Sequence, residues 1–191
     1  IRDICKQQGK DFEFAFLLDA LQEEQEQGIT IDTSQIFFST AQRKYVIIDA
    51  PGHKEFLKNM VTGAADAEAA LLLIDANEGV QEQSRRHGYI LKLLGLTQVA
   101  VVINKMDLVG YDEKVYNNIK TEYTGFLDSL GIEAKEFIPV SAKLGVNIAA
   151  LKDEMFWYKG TTVLNMLDQF EKKPLPDHLP FRFPVQDIYK F

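Results

Sequence analysis

Short apolar runs alternate with longer amphipathic stretches along most of this chain. The apolar runs predict short buried strands at YVIID (45–49), AALLLIDA (69–76), VAVVI (99–103) and EFIPVSA (136–142). Helical spacing of apolar positions predicts helices at 11–27, 53–66, 81–96, 111–130 and 161–170, and the looser alternation of 29–40 predicts one more strand. Buried strands that alternate with helices favour an α/β fold, with a mostly parallel sheet covered on both faces.

Composition places the chain among ordinary globular proteins. Its 191 residues are 46% hydrophobic and 26% charged, which suggests one domain with part of a second. The net charge of −7 and the lack of a Lys/Arg-rich block argue against a broad nucleic-acid-binding face, although a local patch stays open. Cys5 is the only cysteine, so no internal disulfide forms. No apolar run is long enough for a membrane span and no signal peptide is visible, so we expect a cytoplasmic protein.

One segment predicts a domain boundary. The Pro-rich KKPLPDHLP at 172–180 is typical of a linker. It separates a domain at 1–171 from the strand-like FRFPVQDIYKF at 181–191. The sequence ends within this predicted strand, and its first residue is Ile1 rather than Met. We therefore expect the chain to be cut from a longer protein.

Polar residues follow three of the predicted strands at the point where each ends. Ligands of open parallel sheets bind at the carboxyl ends of the strands. Residues placed after YVIID, VVI and IPV therefore lie along one edge, and this edge is the candidate binding site.

The first strand end carries Asp49-Ala50-Pro51-Gly52-His53. A carboxylate at a strand tip can hold Mg²⁺ through water, because Mg²⁺ keeps most of its hydration shell. Gly52 would let a backbone N–H approach a phosphate oxygen closely. An ordinary Asp-x-Pro-Gly turn explains the same residues.

The second strand end carries Asn104-Lys105-Met106-Asp107. The Asp107 carboxylate can accept two N–H bonds from guanine, and adenine lacks that pair of donors. Asn104 can donate to the base edge or tie neighbouring loops together, and Lys105 can lay its aliphatic stem over the purine face. The alternative is that one of the polar residues caps a helix N-terminus, a position that suits both Asp and Asn, and that the lysine is an ordinary surface residue.

The third strand end carries Ser141-Ala142-Lys143, whose backbone N–H groups could meet a carbonyl oxygen such as guanine O6. Alone these residues say little, because many short loops contain them. Together and in this order, the three strand ends resemble the D-x-x-G, N-K-x-D and S-A-K motifs of the P-loop GTPases. GITID, DAPGHKEFLKNMVTGA and NKMDLV are similar to the translation-factor branch of that family.

The resemblance implies a fold, ligands and further site residues. The fold would be the three-layer P-loop NTPase G domain, with 1–171 as an N-terminally incomplete GTP-binding domain and 181–191 as the first strand of a β-barrel domain. The ligands would be GTP or GDP with Mg²⁺. Thr30 of GITI would sense the γ-phosphate and Mg²⁺, and His53 would position the attacking water.

One motif of that family is missing. The phosphate loop G-x-x-x-x-G-K-[ST] occurs nowhere in the sequence, and Gly9-Lys10 lacks the glycine five positions earlier, where Ile4 stands, and has Asp11 in place of the Ser/Thr. In the family this loop follows a central first strand, between the YVIID and AALLLIDA strands. We expect both to precede Ile1, and we expect the 191 residues alone to bind GTP poorly.

Within the branch, two families compete. EQSRRHGYILKLLGL, LLLIDANEGV and PVSAKLGVNI resemble the large, GTPase subunit of sulfate adenylyltransferase, whose partner would be a small catalytic subunit that makes adenosine 5′-phosphosulfate. DAPGHKEFLKNM is closer to the elongation factors, whose partners are aminoacyl-tRNA and the ribosome. The sequence favours the sulfate enzyme, with Arg85, Arg86 and His87 as surface contacts. A non-catalytic scaffold is a third possibility.

Overall fold

The structure is a computed structural model that describes residues 34–51, 57–65, 67–172 and 180. Its strands are β1 (Ser34–Ser39), β2 (Lys44–Asp49), β3 (Ala70–Asp75), β4 (Val99–Asn104) and β5 (Ala134–Pro139). Its α-helices are α1 (Leu57–Ala65), α2 (Glu82–Leu93), α3 (Glu113–Ser129) and α4 (Val163–Gln169). Two short 3-10 helices cover Met106–Val109 and Asp153–Met155. The predicted helix at 11–27, most of the predicted linker and the predicted strand at 181–191 lie outside the described residues.

The central element is a three-stranded parallel sheet in the order β3-β4-β5. Strand β4 is its middle strand, and Val99, Ala100, Val101, Val102 and Ile103 are all buried, as the unbroken apolar run predicts. Both neighbours run parallel to it, so the carboxyl ends of all three strands meet at one edge. The prediction of an α/β fold with a parallel sheet is thereby confirmed.

The helices cover the sheet through amphipathic faces. Helix α3 buries five side chains at helical spacing, namely Tyr116, Ile119, Tyr123, Phe126 and Leu127. The Tyr116 hydroxyl donates to the carbonyl of Phe137 in β5 at 3.0 Å, and that of Tyr123 donates to the carbonyl of Ser84 in α2 at 2.6 Å. Burial raises the pKa of both phenols, so they remain neutral donors. These bonds fix α3 against β5 and α2.

Strand β2 departs from its prediction. It pairs antiparallel with β1 in a separate two-stranded sheet, and no hydrogen bond joins it to β3 within the described residues. The sequence predicts buried strands here, yet Val46 and Ile47 in β2 and Leu73 in β3 are exposed. Successive side chains of a strand point to opposite faces of the sheet. The described residues pack against only some of these side chains, and the others are exposed. The expectation that another strand lies between β2 and β3 stays a prediction.

The β1–β2 turn is fastened to the end of α4. The hydroxyls of Thr40 and Tyr45 both donate to the Asp168 carboxylate, the first at 2.8 Å. Arg43 donates to the carbonyl of Phe170 at 2.6 Å. The two sheets are thus linked through α4 as well as through the chain. Within the described ranges, no helix is long and apolar enough to cross a membrane.

Candidate functional site

The loops that follow β4 and β5 are tied together by the Asn104 side chain. Its Oδ1 accepts the backbone N–H of Lys105 at 2.7 Å and that of Ala142 at 3.0 Å. A second link joins the same loops, because the N–H of Met106 donates to the carbonyl of Val140 at 3.1 Å. Of the two roles that the sequence offers for Asn104, the structure places its oxygen in the loop tie. Its amide nitrogen has no partner among the described residues and can serve the other role.

Lys105 turns the chain sharply after the strand. Its φ of 62° and ψ of 32° are left-handed, a conformation that few non-glycine residues adopt. Its Nζ lies 2.6 Å from Oδ2 of Asp75, the last residue of β3. The hydrogen bond and negative charge of Asp75 raise the pKa of Lys105. Burial acts to raise the pKa of Asp75, but hydrogen bonds from Lys105 and the Asn77 N–H outweigh it, and that pKa is lowered.

Asp107 carries a half-buried carboxylate in the 3-10 helix Met106–Val109. The carboxylate makes no hydrogen bond or ion pair with any residue in the part of the chain that the structure describes, and only the backbone carbonyl of Asp107 accepts a bond, from the Gly110 N–H at 3.4 Å. It is not a helix cap either, since the 3-10 helix has Lys105 at its N-cap and α3 is capped by Asp112, which accepts the Lys114 N–H at 2.8 Å. The helix-cap alternative therefore does not account for Asp107, whose carboxylate has no hydrogen-bond donor among the described residues.

The Ser141-Ala142-Lys143 loop has fewer backbone N–H groups available to a ligand than the sequence suggests. The N–H of Ser141 donates to the carbonyl of Val146 at 3.3 Å, and that of Ala142 is taken by Asn104. Lys143 is exposed, and its N–H has no partner among the described residues. Of the three amides expected to face a carbonyl oxygen, Lys143 is therefore the one left to do so.

Two residues that organise this edge are missed by the sequence reasoning. Asn147 is 1% exposed and has a left-handed φ of 57°. Its amide donates to the carbonyl of Pro139 at 3.1 Å and accepts the N–H of Lys152 at 3.0 Å, which fixes the loop after β5. Asp75 is the other. The strand-end rule that singled out Asp49 and Asn104 would have found it after LLLI, because it too is a carboxylate at a strand tip.

The phosphate side of the predicted site is only partly described. Asp49 is the last residue of β2 and is exposed, whereas Thr30, Gly52 and His53 lie outside the described residues. Within the described ranges, no group of three or more His, Cys, Asp or Glu side chains could hold a metal. The single carboxylate of Asp49 suits Mg²⁺, which is bound mainly through water and phosphate oxygens. The roles of these residues stay predictions.

The basic turn of α2 engages the chain's own residues. Arg85 Nη2 lies 2.6 Å from Glu122 Oε1 of α3, and Arg86 Nη2 lies 2.7 Å from Glu82 Oε1 one turn earlier. The Arg85 guanidinium also stands 5.2 Å from the ring centre of Phe126. Contacts within the molecule thus account for both arginines, which the sequence offers as contacts for another protein.

Comparisons with known proteins identify the family of this chain. The sequence profile of the family described as "Elongation factor Tu GTP binding domain" matches residues 2–173. Elongation factor 1-alpha of Thermococcus gammatolerans is 45% identical over 183 residues, which are 96% of this chain and 43% of that protein. That of Methanosphaerula palustris is 44% identical over 98% of this chain and 45% of its own length. The chain spans less than half the length of these relatives.

A solved structure has the same fold. The bacterial selenocysteine-specific elongation factor EF-Sec superposes with a TM-score of 0.65 and is 28% identical, covering 81% of this chain and 25% of its own. Both kinds of relative carry the elongation-factor name.

Proposed function

The chain belongs to the elongation factor Tu GTP-binding domain family, and on that premise we propose that it is the guanine-nucleotide-binding domain of a translation-factor GTPase. The observation that carries the proposal is Asp107. It offers a half-buried carboxylate with no hydrogen-bond partner among the described residues, in one of the two loops that Asn104 holds together. Such a group, placed at the carboxyl edge of a parallel sheet, is what guanine recognition requires.

In this proposal, the described residues would supply partners for the hydrogen-bonding groups of guanine. Asp107 would accept the ring N–H and the exocyclic amino group of the base. The Asn104 amide nitrogen and the Lys143 N–H would donate to acceptors on the base edge. Lys105 would cover one face of the ring with its stem. Adenine would leave Asp107 unpaired in a partly desolvated place, which costs about 1–3 kcal/mol or more for a charged group.

The phosphate half of the proposal depends on residues named from the sequence. Asp49, through water, and Thr30 would hold Mg²⁺, whose charge would neutralise the phosphate oxygens. Gly52 would bring its N–H close to the terminal phosphate, and His53 would orient the attacking water. In hydrolysis, the water oxygen forms a bond to the γ-phosphorus, the bond to the bridging β–γ oxygen breaks, and GDP and phosphate leave.

The named relatives favour an elongation-factor role for the whole protein. In that role, the nucleotide state would control delivery of aminoacyl-tRNA to the ribosome. The support is the 44–45% identity to two archaeal elongation factors 1-alpha over nearly all of this chain. The sequence motifs favour the sulfate enzyme over the elongation factor, whereas these relatives favour the elongation factor.

The large subunit of sulfate adenylyltransferase is the second candidate, and the QSRRH turn of α2 favours it. That candidate requires Arg85 or Arg86 to leave Glu122 or Glu82 for a small catalytic subunit. Exposed ion pairs contribute little stability, so such an exchange is energetically accessible. The non-catalytic scaffold would bind guanine nucleotides without hydrolysing them.

The test uses the full-length gene product. Binding of fluorescent GDP and ADP analogues is measured first, and we expect GDP to bind at least about a hundredfold more tightly. Equal binding of both would refute the proposal. GTP hydrolysis is then measured with ribosomes and aminoacyl-tRNA, and separately with ATP, sulfate and the small subunit. Stimulation by ribosomes supports the elongation factor, and stimulation by the small subunit supports the second candidate. Binding of guanine nucleotide without hydrolysis under either condition supports the non-catalytic scaffold.

A further inference from the structure

We propose that Asp75 is a positioning residue of the purine site, which holds Lys105 extended where the face of the base would lie. The inference rests on the proposed function, since it concerns the same site. Asp75 itself would not touch the nucleotide. Its part would be to fix the Nζ end of a side chain whose stem contacts the base.

The sheet places Asp75 for this role. It is the last residue of β3 and is the register partner of Asn104, the last residue of β4. The N–H of Ala76 donates to the Asn104 carbonyl at 2.8 Å, so the ladder continues one residue beyond the pair. Asp75 and the Asn104-Lys105 turn are thereby held side by side at the edge where both strands end.

Each oxygen of the Asp75 carboxylate has a separate partner. Oδ1 accepts the N–H of Asn77 at 2.8 Å, and Oδ2 meets Lys105 Nζ at 2.6 Å. The turn closes through the Gly79 N–H, which donates to the Asp75 carbonyl at 2.9 Å. The Asp75 side chain is 17% exposed and that of Lys105 is 54% exposed. Asp75 is therefore the more buried member of the pair and is held by the turn, whereas the Lys105 side chain depends on the ion pair for a defined position.

A tether of this kind would act on affinity more than on stability. A lysine side chain loses rotamer freedom when it is ordered. A stem already extended toward Asp75 loses less when a base stacks against it, so binding is tighter. The ion pair alone adds little to folding, because Lys105 is largely exposed to water. The two effects are separable, which makes the idea testable.

The experiment is a double-mutant cycle in the full-length gene product. Asp75→Asn, Lys105→Met and the double variant are compared for the dissociation rate of a fluorescent GDP analogue and for the midpoint of thermal unfolding. Asp128→Asn is the matched control, since Asp128 is an exposed carboxylate on α3 that takes no part in the Asp75–Lys105 pair. Asp75→Glu tests whether a carboxylate restores the effect.

We expect Asp75→Asn to release GDP about tenfold faster, with an unfolding midpoint close to that of the parent. In the Lys105→Met background the same change should alter the rate less than about twofold, because the group that Asp75 positions is gone. Asp128→Asn should match the parent, and Asp75→Glu should recover part of the loss. An equal effect of Asp75→Asn in both backgrounds, or none in the parent, would overturn the inference. A parent that binds no guanine nucleotide would refute the proposed function instead.

Discussion

Asn104 and Ala142 are joined by a side-chain hydrogen bond of 3.0 Å, although 38 positions separate them in the chain. Asn104 ends β4 and Ala142 lies just beyond β5, so one amide oxygen spans two strand ends. That oxygen also accepts the N–H of Lys105 at 2.7 Å. This side chain, together with the Met106 N–H bond to the Val140 carbonyl, therefore sets the spacing between the loops that carry Asp107 and Lys143.

Replacing this amide should loosen both loops. Asn104→Ala removes the shared acceptor and leaves the N–H groups of Lys105 and Ala142 to water, which costs about 1–3 kcal/mol. We expect guanine-nucleotide affinity to fall by at least about tenfold and the unfolding midpoint to fall by a few degrees. Fluorescent GDP titration and calorimetry measure the two effects.

Asn118→Ala is the control for that change. Asn118 is exposed on α3, where alanine is the better helix former, so affinity should stay at the parent value. A loss of affinity for Asn118→Ala as large as that for Asn104→Ala would show that the loop tie is irrelevant.

Asp107→Asn should change the preferred base. An amide presents a donor where the carboxylate presents an acceptor, so it suits the oxo group of xanthine better than the amino group of guanine. We expect GTP affinity to fall and xanthosine triphosphate affinity to rise, which competition titrations with both nucleotides would show. Asp128→Asn on exposed α3 should leave the preference unchanged. Unaltered GTP affinity in Asp107→Asn would remove this carboxylate from the base site.

Two helical glycines should respond oppositely to alanine. A methyl group at Gly88 of α2 would stand 2.7 Å from Cε1 of the buried Phe126, whereas one at Gly125 of α3 meets nothing within 4 Å. Crowding of about 1–3 kcal/mol at Gly88 outweighs a helix-propensity gain of about 1 kcal/mol. Gly88→Ala should lower the unfolding midpoint, and Gly125→Ala should raise it. Thermal unfolding of the two variants side by side decides the matter, and a stabilised Gly88→Ala would contradict the packing of α2 on α3.

The Asp168 carboxylate holds the β1–β2 turn on α4 through the hydroxyls of Thr40 and Tyr45. Tyr45→Phe removes one donor to a charged acceptor and should cost about 1–2 kcal/mol of unfolding free energy. Tyr89→Phe is the matched control, because Tyr89 is exposed and its edge contact with Phe126 needs only the ring. Chemical denaturation monitors both variants. Equal stabilities would mean that this turn is not fastened in solution.

The Asp75–Lys105 pair predicts a pH window. The pKa of Asp75 is lowered by folding, so its contribution is complete above the ordinary carboxyl range near about 4 and is lost as pH falls through the lowered value. The pKa of Lys105 is raised, so its contribution is complete below about 10 and is lost as pH rises through the raised value. The difference in GDP dissociation rate between parent and Asp75→Asn should stay constant from about pH 6 to 9 and shrink below about 4, where the Asp75 carboxylate is protonated and resembles the amide. A difference that grows in acid would contradict this sign.

Apolar periodicity predicted most of the described elements because the strands of the parallel sheet are short and buried. The prediction is sharpest at β4, whose side chains are buried on both faces. It is weakest at β2, where an apolar run is paired in an antiparallel hairpin with exposed side chains. A run of apolar residues reports burial and length, but it carries no information about which strand lies alongside.

The sequence by itself determined the α/β class, the order of strands and helices, and the residue types that follow β4 and β5. These follow from local rules, because hydrophobic period and strand length are read along the chain. Only the tertiary structure decided how those residues share their hydrogen bonds. It assigned the Asn104 oxygen to Ala142, left the Asp107 carboxylate without a described partner, and brought Asp75 to Lys105. Each of these depends on the register of neighbouring parallel strands, which brings distant residues together and which no single segment encodes.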